Sequence, residues 1–145
     1  MALKFSTGAR TALCGTRGIK EIFEGGVLDV YSGGQPSSPD YAETGIKLLR
    51  VTVNSGTAGV TFGTAADGTL PKSADVWSGV IAAAGVAGYF RLYGTGGTAG
   101  SSASEVRMDG NAGVSGADLV LSNSTLTLGA TFTIDVFSLT VPVSA

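Results

Sequence analysis

The sequence predicts an all-β fold: a two-sheet sandwich or jelly-roll-like body that follows a short, irregular or partly helical N-terminal arm. Three features of the 145 residues predict it. Hydrophobic residues make up 43% and charged residues only 14%, against about 25% in an average domain, so the chain can fold around one core. The 23 glycines are about twice the usual share. They separate short apolar runs rich in Thr and Ser, which is typical of strands joined by turns.

Residues 1–26 differ from the rest of the chain and are interpreted as a basic arm. They contain four of the nine lysines and arginines, namely Lys4, Arg10, Arg17 and Lys20. Ser6 is a helix-capping residue type, and we expect it to begin a short helical turn that runs through Leu13. A second short helix is expected from Arg17 to Phe23, ending at Gly25-Gly26. Neither helix would be stable alone.

Residues 27–145 are interpreted as one β domain. Seven runs have the alternating, β-branched pattern of strands: 27–32, 46–54, 87–93, 105–109, 117–122, 125–128 and 131–143. In 46–54 and in 131–143 the alternation of apolar residues changes phase part-way along. Such a change predicts a β-bulge, or a strand that bends and contributes to both sheets of the body.

Three short segments of the β domain and one residue of the arm carry predictions of their own. Val76-Trp77 is expected to form a short strand that places the only tryptophan in the core, and Leu70-Pro71 to form a loop. Asp109-Gly110-Asn111 has the composition of a tight turn. Cys14 lies beside apolar residues, so we expect a buried, unreactive thiol.

The chain contains no histidine, and this restricts its chemistry. Histidine is the commonest general base near neutral pH, the commonest metal ligand, and the usual partner of a nucleophilic serine or cysteine. A pair of carboxylates, with Asp109 and Asp118 as the candidates, stays open as the site of a glycosidase or a sugar-binding module. Both are better interpreted as turn residues, and calcium would need more acids at regular spacing. Asp29 and Asp135 lie between apolar neighbours and are expected on a solvated outer face.

A glycine-rich segment, Gly94-Thr95-Gly96-Gly97-Thr98-Ala99, matches the loose form of the dinucleotide-binding fingerprint. That motif works by presenting a helix N-terminus to the pyrophosphate, and the residues that follow here have no helical period. We therefore expect a flexible loop. Taken together, these motifs predict no enzymatic activity, no cofactor and no metal site.

The charge balance and the single cysteine restrict the partners. A net charge of −2 with scattered basic residues provides no positive field for direct binding of nucleic acid. One cysteine cannot form an internal disulfide. The N-terminus lacks a signal-peptide pattern, and the longest run of small apolar residues, 80–87, is too short to cross a bilayer. We expect a protein that is made in a cytoplasm and has no membrane anchor.

Several segments together resemble one protein family. They are the arm LKFSTGARTALCG, the first strand region GGVLDVYSGGQP, the central YFRLY, and the C-terminal series MDG, GADL and STLTLG. In these segments the chain is similar to capsid cement (decoration) proteins of tailed bacteriophages, in particular short-tailed phages with HK97-type capsids. The resemblance spans most of the chain, whereas the loops between Gly56 and Gly85 carry little of it.

The resemblance implies a virion protein that is made in the host cytoplasm and attaches to the outer face of the major capsid protein shell, often as a dimer. A homodimer also agrees with the tendency of exposed strand edges to pair. We expect the arm to contact the coat, with Lys4, Phe5, Arg10, Arg17 and Lys20 as candidate partner-binding residues. The alternative is a β domain of the tail or of a host-binding fibre, with Tyr89, Arg91 and Tyr93 exposed for recognition.

Overall fold

The structure is a computed structural model that describes residues 3–141. It is an all-β sandwich with a short helical N-terminal part, and this confirms the predicted fold class. The helices are α1 (Thr7–Cys14) and α2 (Ile19–Phe23), and the strands are β1 (Lys4–Phe5), β2 (Leu28–Ser32), β3 (Lys47–Val53), β4 (Thr69–Pro71), β5 (Trp77–Val80), β6 (Gly85–Tyr93), β7 (Arg107–Gly113), β8 (Leu119–Val120), β9 (Thr125–Leu126), β10 (Thr131–Ile134) and β11 (Ser138–Thr140).

Most strands belong to one hydrogen-bonded sheet with the order β1-β7-β6-β2-β3-β5-β10. Strand β8 pairs with β7, and β9 pairs with the beginning of β6. Strands β4 and β11 form a separate two-stranded sheet. All of these pairs are antiparallel except β7 with β8. The centre of the large sheet is therefore β6, β2 and β3, and β1 and β10 lie at its two ends.

The core is built around a chain of aromatic contacts that joins distant parts of the sheet. Trp77 on β5 packs edge-on against Phe62 at 5.3 Å between ring centroids, and against Phe137 at 5.6 Å. Phe137 in turn meets Phe90 on β6 at 5.5 Å. All four rings are buried, so the prediction that the tryptophan lies in the core is confirmed.

The N-terminal segment packs on the same core. Ser6 caps α1 as predicted, since its Oγ accepts a hydrogen bond of 3.1 Å from the amide of Ala9. The same hydroxyl also bonds the backbone where β7 begins. It donates to Glu105 O, just before the strand, at 2.7 Å and accepts from the amide of Arg107, the first residue of the strand, at 2.9 Å. Ala9 and Phe23 are fully buried. The helices that would be unstable alone are thus held by burial against the body.

Both predicted phase changes correspond to irregular strands. In β3, Leu48 and Leu49 are both buried, and the register with β2 shifts at the same point, between Val30 and Tyr31. The segment 131–141 divides into β10, which pairs with β5, and β11, which pairs with β4 in the other sheet. The last apolar residue of that predicted strand, Val143, lies outside the described residues.

Three local predictions are wrong, each for a physical reason. Leu70-Pro71 lies in β4, where the proline ends a short strand that needs few backbone donors. Asp109-Gly110-Asn111 lies within β7, because Gly110 makes room for an aromatic ring: a Cβ there would lie 2.7 Å from Phe90 Cε1. Cys14 is exposed, since it ends α1 on the side away from the core.

Candidate functional site

In their central residues, strands β2, β6 and β7 are buried on both of their faces. Alternation along each strand directs the apolar side chains to one face, which belongs to the core, and the polar ones to the other. The register places Arg91 between two carboxylates on neighbouring strands, opposite Asp29 on one side and Asp109 on the other. We call this second surface the polar face, and its buried members are Asp29, Tyr31, Tyr89, Arg91, Tyr93, Arg107 and Asp109.

At the centre of the polar face is a buried ion pair. Arg91 donates from Nε to Asp109 Oδ1 at 2.7 Å and from Nη2 to Oδ2 at 2.8 Å, and both residues are 0% exposed. Burial alone would lower the pKa of Arg91, but the adjacent Asp109 and Glu43 raise it, so the guanidinium stays charged. Burial raises the pKa of Asp109, and Arg91 offsets part of that rise.

Glu43 links two loops to this ion pair. It comes from the loop 33–46, and its Oε2 accepts hydrogen bonds from Arg91 Nη1 at 2.9 Å and from the Tyr93 hydroxyl at 2.6 Å. Its Oε1 accepts the amide of Gly100, in the loop 94–106, at 2.9 Å. Burial raises the pKa of Glu43, but the bonds from Tyr93 and Gly100 outweigh it and hold the pKa below the ordinary value.

Three tyrosines extend the network towards the loop 33–46. The rings of Tyr31 and Tyr89 stack with centroids 5.0 Å apart, and the hydroxyls of Tyr31 and Tyr93 lie 3.1 Å apart. The Tyr89 hydroxyl donates to Thr44 O at 2.7 Å and accepts the Thr44 amide at 2.9 Å. Burial raises the pKa of all three phenols, so their neutral forms are favoured.

Asp29 and Arg107 complete the polar face at its two sides. Asp29 is buried, which corrects the expectation of a solvated outer face, and Arg50 binds it through two bonds of 2.8 Å. Asp135, by contrast, is exposed as predicted. Arg107 donates to Pro39 O at 3.0 Å and to Thr98 O at 2.6 Å, so it also holds both loops.

The binding residues predicted on β6 do not lie at the surface. Tyr89, Arg91 and Tyr93 are between 0% and 1% exposed, because the two loops cover the strand face on which they project. Sequence reasoning identified these side chains as a group but missed the loop residues Glu43 and Thr44 that cover them. The available signal was a strand with three polar or aromatic residues on one face, next to strands that each carry an aspartate there.

The candidate residues of the arm are divided between the fold and the surface. Arg10, Arg17 and Lys20 are exposed, whereas Lys4 and Phe5 are half-buried in β1. Lys4 Nζ donates to Ser37 O at 3.2 Å. The three exposed cations have local partners: Arg10 bonds Thr7 Oγ1, Arg17 pairs with Glu21 at 2.8 Å, and Lys20 donates to Gly63 O at 3.0 Å.

A further contact ties the arm to the loop 33–46. Asp40 accepts the Thr7 amide at 2.8 Å through Oδ1 and the Thr7 hydroxyl at 2.6 Å through Oδ2. Burial raises the pKa of Asp40, but these two bonds, with the positive charges of Arg10 and Arg107, hold the pKa below its usual value. The loop is thus fastened to the sheet at one side and to α1 at the other.

The carboxylates considered as a catalytic pair are engaged separately. Asp109 binds Arg91, and Asp118 exchanges hydrogen bonds with Asn111: its carboxylate accepts the Asn111 amide at 3.1 Å, and its own amide donates to Asn111 Oδ1 at 2.9 Å. The second contact closes the connection between β7 and β8. Both aspartates therefore have structural partners.

An apolar groove of about 510 Å³ lies between the arm and β11, lined by Leu3, Phe5, Leu13, Ile19, Leu139 and Val141, with Arg17 also in its lining. Within residues 3–141, no group of three or more acidic or cysteine side chains is placed to hold a metal ion. Neither of the helices described is long and apolar enough to cross a membrane. Comparison with known proteins finds no matching family model, no matching curated protein and no matching solved structure.

Proposed function

We propose that the chain is a structural virion protein, a cement (decoration) protein that is made in the host cytoplasm and binds the outer face of the major capsid protein shell. One observation carries the structural half of this proposal. The carboxylates Asp109 and Glu43, which could serve acid–base chemistry, are both bonded to Arg91, and Glu43 fastens two loops to the sheet. The other half, binding to the capsid, is proposed because the sequence segments resemble phage cement proteins.

A cement protein acts by mass action. It binds the assembled shell and not the dissociated coat subunits, so each bound copy stabilises the assembled state by RT ln(1 + [L]/Kd), about 2.7 kcal/mol when the free protein is at 100 times its Kd. Many weak contacts per particle suffice. The protein itself must then keep one shape when it is bound, and a sheet whose central strands are buried on both faces supports such a role.

The surface proposed to meet the coat is the exposed cationic part of the arm, formed by Arg10, Arg17 and Lys20. Three positive charges lie there, of which Arg17 is paired with Glu21, in a chain whose net charge is −2. Such a local field would orient the protein towards an acidic partner surface.

Binding to purified heads that lack the protein tests the proposal. Deleting residues 1–20 would remove the buried Ser6 and Ala9 and so damage the fold. The sharper variant is therefore Arg10→Gln/Arg17→Gln/Lys20→Gln, which keeps the buried residues. Its matched control is Thr64→Glu/Ala74→Glu/Ser115→Glu, which makes the same change in net charge at exposed positions elsewhere.

The expected result is saturable binding of the wild-type chain to heads, a rise in the temperature at which heads release DNA, and at least tenfold weaker binding of the arm variant than of the control. Equal binding of both variants to heads would show that the exposed cations of the arm do not contribute to the contact with the coat. Wild-type protein that labels tails and not heads, in electron micrographs of virions, would overturn the capsid role in favour of the tail or fibre alternative. That alternative has lost its candidate residues, because Tyr89, Arg91 and Tyr93 are buried.

A further inference from the structure

Two segments that lack charged side chains lie together on one side of the sheet. The first runs from Val76 to Phe90 and the second from Leu119 to Ile134, and neither contains Asp, Glu, Lys or Arg. They pair along most of their length: β5 with β10, and the beginning of β6 with β9. Backbone bonds of Ile81 to Ala130 O at 2.8 Å and of Gly129 to Ile81 O at 2.9 Å join the intervening residues.

The outward side chains of residues 78–86 and 125–134 are apolar or hydroxylic. Val80, Val86 and Leu128 are all more than half exposed, at 53%, 58% and 63%. Thr127, Thr131 and Thr133 are exposed on the same segments. Charged residues lie at its border: Lys47 and Arg50 are on β3, next to β5 and to Ala82, and Asp135 follows β10. We call this surface, formed by residues 78–86 and 125–134, the uncharged surface.

The uncharged surface contains an unprotected strand edge. Strand β10 ends the sheet order and, within the described chain, pairs only with β5. Its four residues, Thr131 to Ile134, include no proline and no charge. Natural edge strands are usually short, charged or bulged, since an open row of backbone donors and acceptors recruits another strand. The opposite end of the sheet follows that rule, because β1 has two residues and one is Lys4.

We propose that the uncharged surface binds a second copy of this chain, with strand β10 of one copy antiparallel to strand β10 of the other about a two-fold axis. In a two-fold contact the same surface of both copies meets, so a charged residue near the axis would lie close to the identical charge of the other copy. A surface without charges avoids that repulsion. It also buries Val80, Val86 and Leu128, which are more than half exposed in the single chain.

The test is the mass of the free protein by sedimentation equilibrium over a hundredfold range of concentration. Thr133→Lys adds a charge to the β10 edge at an exposed position, and Thr64→Lys adds one at an exposed position outside the uncharged surface. We expect dimers for the wild type and for Thr64→Lys, and at least a tenfold weaker dimer for Thr133→Lys. Equal melting temperatures of the two variants at low concentration show that both are folded.

Cross-linking locates the contact. In a Cys14→Ser background, which removes the exposed native thiol, Thr133→Cys should give a covalent dimer with a short bismaleimide, and Val114→Cys should not. A monomeric wild type at all concentrations, or a dimer that Thr133→Lys leaves intact, would overturn the proposal. None of these readings uses phage heads, so the dimer can fail while the capsid role stands, and the reverse also holds.

Discussion

The two faces of the central strands are buried by different means. On the apolar face, Leu28, Phe90 and Leu92 pack against other apolar side chains of the core. On the polar face, Arg91 and its tyrosine neighbours are covered by loops that supply carboxylates and carbonyls. The apolar face needs only volume and hydrophobicity, whereas the polar face needs specified partners at hydrogen-bond distance. Adjacent residues of β6 therefore obey different rules of substitution, and this can be measured.

The largest effect is expected when one partner of the buried ion pair is removed. Arg91→Met leaves Asp109 and Glu43 without their shared cation, and a buried uncompensated charge costs about 4 kcal/mol. Urea unfolding followed by far-UV circular dichroism gives the free energy.

A triple variant separates charge from packing at this site. Arg91→Met/Asp109→Leu/Glu43→Gln removes the charges together and should recover at least half of the loss, since apolar replacements of a whole buried ion pair are often tolerated. A triple variant as unstable as Arg91→Met would show that the shape of the network, and not its charge, matters most.

The next effect concerns the neighbouring residue on the apolar face. Leu92→Ala removes a fully buried side chain and should cost about 3 kcal/mol through lost burial and the cavity that remains. Leu92→Met keeps the volume and should cost less than about 1.5 kcal/mol. The same urea series measures both, and a Leu92→Met variant as unstable as Leu92→Ala would mean that this face also requires a specified partner.

A smaller effect follows from loss of one hydroxyl on the polar face. Tyr93→Phe keeps the ring but removes the donor to Glu43 at 2.6 Å, and a hydrogen bond to a charged acceptor is worth about 2 kcal/mol. The matched control is Tyr41→Phe, which removes the same hydroxyl from an exposed tyrosine and should leave stability unchanged. If Tyr93→Phe were as stable as the wild type, Glu43 would be adequately held by Arg91 and Gly100 alone.

The smallest effect is in the dependence of stability on pH. Asp40 and Glu43 have lowered pKa values in the fold, so their contribution is present above the ordinary carboxyl pKa of about 4 and is lost as pH falls through the lowered values. Thermal melts between pH 6 and pH 2.5 should fall most steeply below about pH 4.

The two faces again differ in this measurement. Asp40→Asn/Glu43→Gln should flatten the fall, whereas Leu92→Ala should shift the whole curve down without changing its slope. Parallel curves for the wild type and the double amide variant would contradict the assignment of these carboxylates.

The sequence predicts the apolar face well because its signal is local. Alternation alone marks β2, β3 and β6, and the capping side chain of Ser6 marks the start of α1. The change of phase in 131–141 marks the place where the chain leaves one sheet for the other. Each of these features is readable within a few residues of where it acts.

The polar face was missed because its partners are distant in the chain. Glu43 lies 48 residues from Arg91 in the chain. The residues around each of them give no sign that the two side chains will meet. The error at Asp109-Gly110 has a similar origin, since the glycine is required by the ring of Phe90 on the neighbouring strand and not by a turn. Contacts of this kind are set by tertiary packing, which overrides local turn chemistry.

Hydrogen exchange at two loop amides tests most directly whether the polar face folds as one unit with the core. The amides of Thr44 and Gly100 donate to Tyr89 and to Glu43, respectively. We expect both to exchange as slowly as the amides of β6, and Arg91→Met to speed their exchange more than it speeds exchange of the strand amides. Exchange of both amides at the rate of an unstructured peptide in the wild-type protein would contradict it.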